Sequence, residues 1–281
     1  MTSKLRNVVG LFLVLTCLLI PTKSFAWGED CCDWNQCETS CCPGPLSECH
    51  FSVLVKGGVV PTTWNNRGTI YAVNPSLLVP VFSIGKTPKF NDVFDLPWTV
   101  GLELGYNTSD HTQVFLEANY LSAEGKRHSH FLDTLDLTFT HHHHNAQAWT
   151  GYIGARYYFD RCWLCDRVAP FLGFKAGFIH HKKAHSTVEI NGVEVGSSSF
   201  FLGQTGVSAG AQLGFDIQVW DCLSAVLNFE VVFSQSRRTN NNIPLVFPVG
   251  AAPIGGITNL NVGSLGREVS YPITLGLRYE F

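Results

Sequence analysis

Cysteine is the residue type in this sequence with the clearest chemistry. The chain contains ten cysteines, and all except Cys17 follow the N-terminal apolar run. Thiols form disulfides in an oxidising compartment, and an odd number leaves at least one thiol unpaired or available for an intermolecular bond. We therefore treat the other nine as disulfide candidates: Cys31, Cys32, Cys37, Cys41, Cys42, Cys49, Cys162, Cys165 and Cys222.

A zinc site and a redox motif are the alternatives to disulfides. Cys162 and Cys165 have the spacing of two zinc ligands, but no second pair with regular spacing accompanies them in the sequence. A redox motif needs a thioredoxin-like scaffold, which the sequence does not show. Cys162 and Cys165 can pair with each other, which leaves Cys222 as one candidate for the odd thiol.

Histidine is concentrated in segments that we assign below to loops. Four consecutive imidazoles can bind zinc or copper at neutral pH, but a loop fixes no ligand geometry. We therefore expect a solvated polar surface, with no metal and no other cofactor. The histidines concerned are His128, His130, His141, His142, His143, His144, His180, His181 and His185.

Catalysis would need a base and a nucleophile held at one height on a rigid element. His128, Ser129 and His130 are the only close set, and no carboxylate accompanies them. We therefore expect no enzymatic activity, and a lipid-modifying enzyme is the weakest of the functions considered.

The elements that position these residues follow from a period of two. The chain ends on YPITLGLRYEF, in which every second residue is apolar, and this pattern is typical of a strand with one apolar and one polar face. The pattern recurs earlier, in segments near the roughly 9–11 residues that a tilted strand needs to cross a bilayer. The eight predicted strands are Phe51–Val59, Trp98–Tyr106, Val114–Tyr120, Trp149–Phe159, Val168–Phe178, Val207–Val219, Leu223–Phe233 and Tyr271–Phe281.

Short and long connections alternate between these strands. Those at 107–110, 160–167 and 220–221 are short, and the other four run to about twenty to thirty-five residues. Outer-membrane barrels have this layout. We predict an all-β fold, an eight-stranded antiparallel transmembrane β-barrel with short periplasmic turns and four long extracellular loops. Within one loop, Asn191-Gly192 predicts a tight hairpin turn.

The start of the chain indicates export from the cytoplasm, which together with the predicted barrel places the protein in the bacterial outer membrane. Lys4, Arg6, an apolar run over 8–20 and small residues before Ala26 form a secretory signal. The apolar run is too short to be a membrane helix. Nearly balanced charge, 19 basic against 22 acidic residues, indicates no nucleic-acid partner. The predicted divisions are a signal peptide (1–26), a cysteine-rich periplasmic segment (27–50) and the barrel (51–281).

The predicted barrel resembles a known family, the small eight-stranded outer-membrane barrels of the opacity and OmpA-like type. The resemblance is carried by Gly151–Phe159, Pro170–Gly173 and Tyr279–Phe281. It implies that Tyr279 and Phe281 form the signal read by the barrel-assembly machinery. The cysteine-rich segment resembles envelope proteins of chlamydia-like bacteria, which implies disulfide-linked envelope proteins as partners. The predicted barrel has outer-membrane lipid and lipopolysaccharide as its expected surroundings.

The inward face of the predicted strands carries charges of both signs. Eight strands leave an interior only just wide enough for side chains, and an unpaired buried charge is costly. We therefore expect ion pairs that fill the lumen and a structural and surface-interaction role, with a small porin-like channel as the alternative. The predicted lumen charges are Lys56, Glu103, Glu117, Arg156, Lys175, Asp216, Glu230, Arg278 and Glu280.

Overall fold

The computed structural model describes the barrel and parts of its connections. The predicted signal peptide, most of the cysteine-rich segment and every cysteine candidate except Cys222 lie outside the described residues. Among the residues described, no helix has the length and hydrophobicity needed to span a membrane. The described residues are 46, 50–64, 69–74, 79–86, 89–132, 137–161, 167–220, 222–235, 243–244, 259–262 and 267–281.

Strands dominate this part of the chain, and the single helix in it is one turn long. In chain order the elements are β1 (Phe51–Val59), β2 (Thr62–Trp64), β3 (Thr69–Asn74), β4 (Val79–Lys86), α1 (Phe90–Val93), β5 (Trp98–Asn107), β6 (Thr112–Ala123), β7 (Arg127–Leu132), β8 (Leu137–His143), β9 (Ala146–Tyr158), β10 (Val168–His181), β11 (Ala184–Ile190), β12 (Val193–Phe201), β13 (Gln204–Trp220), β14 (Leu223–Ser234), β15 (Ile243–Pro244), β16 (Asn259–Val262), β17 (Glu268–Ser270) and β18 (Ile273–Glu280).

Eight of these strands close into a barrel. They pair antiparallel in the order β1, β5, β6, β9, β10, β13, β14 and β18, and β18 pairs back onto β1. Each contains most of one predicted strand, so the prediction of an all-β, eight-stranded antiparallel barrel is confirmed. Closure leaves no unpaired barrel edge, which matters because hydrocarbon cannot satisfy backbone hydrogen bonds.

The barrel strands are apolar outside and polar inside. In β5, Leu102 and Leu104 are about half exposed, whereas Glu103 between them is buried. Cross-strand partners share a face, so Glu103 meets Glu117 and Leu104 meets Leu116. This arrangement is the one expected of a barrel surrounded by lipid.

The connections differ between the two ends of the barrel. The β5–β6, β9–β10 and β13–β14 connections lie at one end, which we call the short-turn end, together with His50 and Phe281. The opposite end, the loop end, carries two additional four-stranded sheets, β12-β11-β8-β7 and β15-β16-β3-β4. Asn191 and Gly192 join β11 to β12 with φ of 48° and 80°, which confirms the predicted tight turn.

Aromatic side chains surround both ends of the apolar wall. Near the loop end, the ring of Tyr120 lies 5.7 Å from Trp98 and 4.7 Å from Trp149. At the short-turn end, Tyr157 lies 5.4 Å from Phe159, and further aromatic residues flank them. Such girdles mark the two membrane–water interfaces of a transmembrane barrel.

The last residue of the chain takes part in barrel closure. The Phe281 amide donates to the Phe51 carbonyl at 2.9 Å, and the Phe51 amide donates back at 3.2 Å. The Phe281 ring also stacks on Tyr279 at 6.2 Å. The predicted alternation therefore continues to the end of the chain because the final residue is paired.

We predict that deleting Phe281 lowers the amount of inserted barrel several-fold, because closure loses two backbone hydrogen bonds and a girdle ring. Inserted protein is measured as the fraction that migrates faster on a gel when unboiled. The matched variant Phe281→Ala keeps the backbone bonds, so an equal loss would assign the effect to the ring. Normal insertion of both variants would contradict the role of Phe281.

Candidate functional site

The barrel interior contains all nine charged residues that the sequence analysis assigned to the lumen. Every second residue of a wall strand points inward, which is why these side chains from eight strands meet in one space. Eight of them are buried, and the side chain of Glu280 is 14% exposed. They are Lys56, Glu103, Glu117, Arg156, Lys175, Asp216, Glu230, Arg278 and Glu280.

Two lysines and two glutamates form a ring of ion pairs across the lumen. Lys175 Nζ lies 2.8 Å from Glu117 Oε1 and 2.5 Å from Glu230 Oε2. Lys56 Nζ lies 3.0 Å from Glu117 and 3.4 Å from Glu230. Each lysine therefore bridges the same two carboxylates, and the four charges cancel.

Arg156 and Glu103 form the next pair toward the short-turn end. The guanidinium donates to both carboxylate oxygens, at 2.5 and 2.6 Å, which is the strong bidentate geometry. The Arg156 guanidinium carbon lies 4.3 Å from the ring centre of Phe115 and 5.1 Å from that of Phe171. The Arg156 guanidinium thus contacts two aromatic rings as well as a carboxylate.

Arg278 organises a third group of charges, nearest the short-turn end. Its guanidinium lies 2.9 Å from Asp216 and 3.1 Å from Glu280, and it donates to the Tyr158 hydroxyl at 2.7 Å. The Tyr158 hydroxyl in turn donates to Gln113 at 3.2 Å. This chain of contacts links Arg278 to the pair formed by Arg156.

Neutral side chains complete the network. Asn119 donates to Glu117 and Asn228 to Glu230, both at 2.6 Å. Gln113 donates to Asn107 at 2.8 Å. Such partners occupy carboxylate and amide groups that would otherwise be buried without hydrogen bonds, which is costly.

The aromatic residues of the interior were not among the residues predicted to face the lumen. Phe115, Tyr152, Tyr158 and Phe171 are buried inside the barrel. Their signal was present, because each falls at an inward position of its strand by parity, as Phe115 does between Gln113 and Glu117. These aromatic rings occupy volume that charges alone would leave open.

Little space remains in the lumen, and both ends are covered. The cavity beside the lysine–glutamate ring measures about 30 Å³, room for about two water molecules. At the loop end, the buried residues Phe90 and Phe94 of α1 and its C-terminal flank have ring centres 5.1 Å apart. At the short-turn end, Leu46 is buried in one apolar cluster with Tyr158 and Phe171. The lumen is therefore closely packed beside the lysine–glutamate ring and covered by apolar side chains at both ends.

The histidine-rich segment is a strand, which corrects the expectation of a loop. His141 to His143 belong to β8, which pairs with β7 and with β11. His180 and His181 likewise lie in the wall strand β10, not in a loop. Regular pairing places His141 and His143 on a buried face. The described residues contain no group of three or more side chains arranged to hold a metal.

The other predicted reactive residues lie only partly within the described part of the chain. Ser129 lies in β7 with its hydroxyl 2.9 Å from that of Thr140, and the side chains of His128 and His130 are outside the description. Cys222 is exposed, forms no disulfide and is the one cysteine that the described part of the chain contains. It lies at the short-turn end, where its carbonyl accepts a hydrogen bond from the Glu280 amide.

A histidine connects two turns at the short-turn end. His111, in the β5–β6 turn, lies 2.6 Å from Asp110 and 2.7 Å from Asp160, which follows β9. Its ring also stacks on Tyr157 at 5.8 Å. Hydrogen bonds to Asp160 and to Asp110 raise the pKa of His111 above its ordinary value.

The chain is similar to one family of outer-membrane proteins and to several solved outer-membrane proteins. A family model for the Protochlamydia outer membrane protein matches residues 63–219, whereas no curated protein matches the sequence. Among solved structures, Neisserial surface protein A is 14% identical, over 82% of this chain and 97% of its own, with a TM-score of 0.38. OprG from Pseudomonas aeruginosa is 14% identical, over 84% and 98%, with a TM-score of 0.42.

We predict that His111 stabilises the barrel at low pH only. Because its folded-state pKa lies above the unfolded value of about 6.5, the stabilisation is complete below that value and disappears as the pH rises through the folded pKa. The measurement compares denaturant midpoints of the natural barrel and His111→Gln in detergent from pH 5.5 to 9 (approximately the range around this pKa). A difference that stayed constant, or that grew with pH, would contradict this assignment.

Proposed function

The chain belongs to the Protochlamydia outer membrane protein family, whose model matches more than half of its length, and we propose that it is a closed structural barrel of the bacterial outer membrane. Its role is to anchor a structured outer surface and to connect that surface with the periplasmic side of the envelope. A porin-like channel and a lipid-modifying enzyme are the alternatives.

The packed lumen is the observation that carries this proposal. A conducting pore needs a continuous polar path, and its wall tends to carry one dominant sign of charge. Here the charges are mixed and paired, and aromatic rings fill the gaps beside Arg156. The cavity of about 30 Å³ beside the lysine–glutamate ring is too small for a hydrated solute.

We assign the loop end to the outside of the cell and the short-turn end to the periplasm. Outer-membrane barrels have short periplasmic turns and longer extracellular loops, and both described ends of the barrel chain, His50 and Phe281, are at the short-turn end. This orientation exposes the sheet β12-β11-β8-β7, which is built from two separate connections. A paired sheet presents a more rigid surface than unstructured loops do, and this favours a role in surface interaction.

The cysteine-rich segment supports the periplasmic half of the proposal. The Leu46 amide donates to the Asp110 carbonyl at 3.0 Å, and its side chain is buried at the short-turn end. The segment therefore joins the barrel on the same side as Cys222. We propose that cysteines on this side form disulfides within the protein and to other envelope proteins.

The proposal predicts little conductance in planar bilayers for the natural barrel. Arg156→Met removes the bidentate partner of the buried Glu103, which then keeps only Lys56, at 3.8 Å. Breaking a buried pair costs roughly 3–5 kcal/mol of stability, and the shorter side chain opens space in the lumen. We expect larger conductance for this variant and for Glu117→Gln, measured as single-channel current. The control is Arg127→Met, because Arg127 is exposed on β7. A large, steady conductance in the unmodified protein would favour the porin-like channel.

The proposal also predicts covalent links on the periplasmic side. Non-reducing gels of whole envelopes should show high-mass species that a reductant converts to monomer. Serine at the six cysteines between Cys31 and Cys49 should remove most of these species while the barrel still inserts. A monomer alone, in samples whose thiols are blocked at lysis, would exclude cross-linking and leave a barrel with internal bridges.

A further inference from the structure

We propose that the outer wall of the barrel binds a phosphorylated, acylated glycolipid of the lipid A class. An acyl chain lies in a groove over β5, β6, β9 and β10, and a phosphate lies against Lys182 and Lys183 beyond the loop end of the groove. The inference rests on the proposed orientation, in which the loop end faces the outside of the cell.

The groove is an apolar depression in the lipid-facing wall. It is open toward the lipid and has a volume of about 400 Å³, more than ten times that of the lumen cavity of about 30 Å³. Its walls are large exposed side chains, including Leu102, Leu116 and Ile153 on one side and Phe178 on the other. An exposed apolar concavity of this kind fits a hydrocarbon chain.

Small residues create the depression. Across adjacent strands, Ala118 pairs with Gly151, and Gly151 pairs with Phe178. Ala176 lies on the same outward face, one row nearer the short-turn end. A side chain at Gly151 would place its Cβ 2.7 Å from the Phe178 ring, so glycine allows that ring to lie against the wall and border the groove.

The loop end of the groove leads to the aromatic girdle and then to positive charge. The row above Gly151 contains Tyr120, Trp149 and His180, which are paired across β6, β9 and β10. The next outward position on that side is Lys182, whose amide and ammonium groups both donate to Gln147, at 2.9 and 3.2 Å. An amphipathic lipid in a membrane follows the same order, with its apolar chain in the hydrocarbon and its charged headgroup beyond the interfacial region.

The two lysines are available to an external anion. Lys182 and Lys183 are exposed, and no carboxylate in the described part of the chain forms an ion pair with either. By contrast, Lys126 lies 3.1 Å from Asp95 and Arg127 lies 3.6 Å from Glu189. Phosphate complements two unneutralised ammonium groups at an interface.

A second copy of the chain is a poorer occupant than a lipid. Two copies related by a two-fold axis would bring the same patch together, so two concave grooves would face each other and the lysine pairs would approach with like charge. The glycolipid is preferred over glycerophospholipid because the cationic end of the groove lies on the proposed outer side. Phosphorylated, multiply acylated glycolipid is the characteristic lipid of that leaflet.

Native mass spectrometry of the full-length barrel tests the site, with lipid A, dephosphorylated lipid A and phosphatidylethanolamine as probes. We expect one retained lipid A, and several-fold lower retention after Ala118→Leu with Ala176→Leu, which fills the groove. Replacing Lys182 and Lys183 by Ala should remove the preference for lipid A over its dephosphorylated form. The matched control is Ala211→Leu, an outward-facing alanine on β13 outside the groove lining.

Equal retention by the groove-filling variant and the control would overturn the site, and so would equal binding of phosphatidylethanolamine and lipid A. A dimer that the filling variant dissociates would assign the groove to a second copy instead. An epitope inserted between Asn191 and Gly192 tests orientation separately on intact cells. A hidden epitope would overturn the orientation and the glycolipid together, whereas a visible epitope with unchanged lipid retention would overturn the lipid site alone.

Discussion

Closure of one antiparallel sheet on itself is the constraint on which the rest of the structure depends. Hydrocarbon offers no hydrogen-bond partners, so each wall strand must pair on both sides, and the pairing of β18 with β1 completes the ring. Closure also sets the diameter, because eight strands leave space only for side chains. The charges and hydrogen-bonding groups of inward side chains must therefore pair with those of other inward side chains of the same barrel.

The lumen meets that requirement by cancelling charge locally. The ring of Lys56, Lys175, Glu117 and Glu230 is neutral, and Arg156 with Glu103 forms a second neutral unit. Removing one member of such a set leaves one buried charge of the opposite sign uncompensated, which is costly. Among the described residues outside the membrane, ion pairs such as Arg127 with Glu189 are isolated and more exposed.

The wall of the barrel was predictable from the sequence because its signal is local. Alternation in each segment identified the strands, and parity placed Glu103 and Arg156 on the inward face. Which charges meet was not predictable, since Lys56 and Glu230 are 174 residues apart in the chain and approach each other only through the strand order. The prediction of a loop at β8 was wrong for a related reason. A run of four histidines carries no alternation, and its strand is defined by pairing with β7 and with β11, the second of which lies more than forty residues further along the chain.

The pairing of the first barrel strand with the last has a consequence for the order of assembly. Lys56 lies on β1, and its partners Glu117 and Glu230 lie on β6 and β14. The ion pairs that neutralise the interior are thus contacts between distant parts of the chain, whose formation is intrinsically slow. Until the seam forms, these charges lack part of their final environment, so an open sheet would enter the hydrocarbon with its polar face uncovered. We therefore expect insertion and barrel closure to occur together, so that the charged side chains stay in water until the sheet has closed around them.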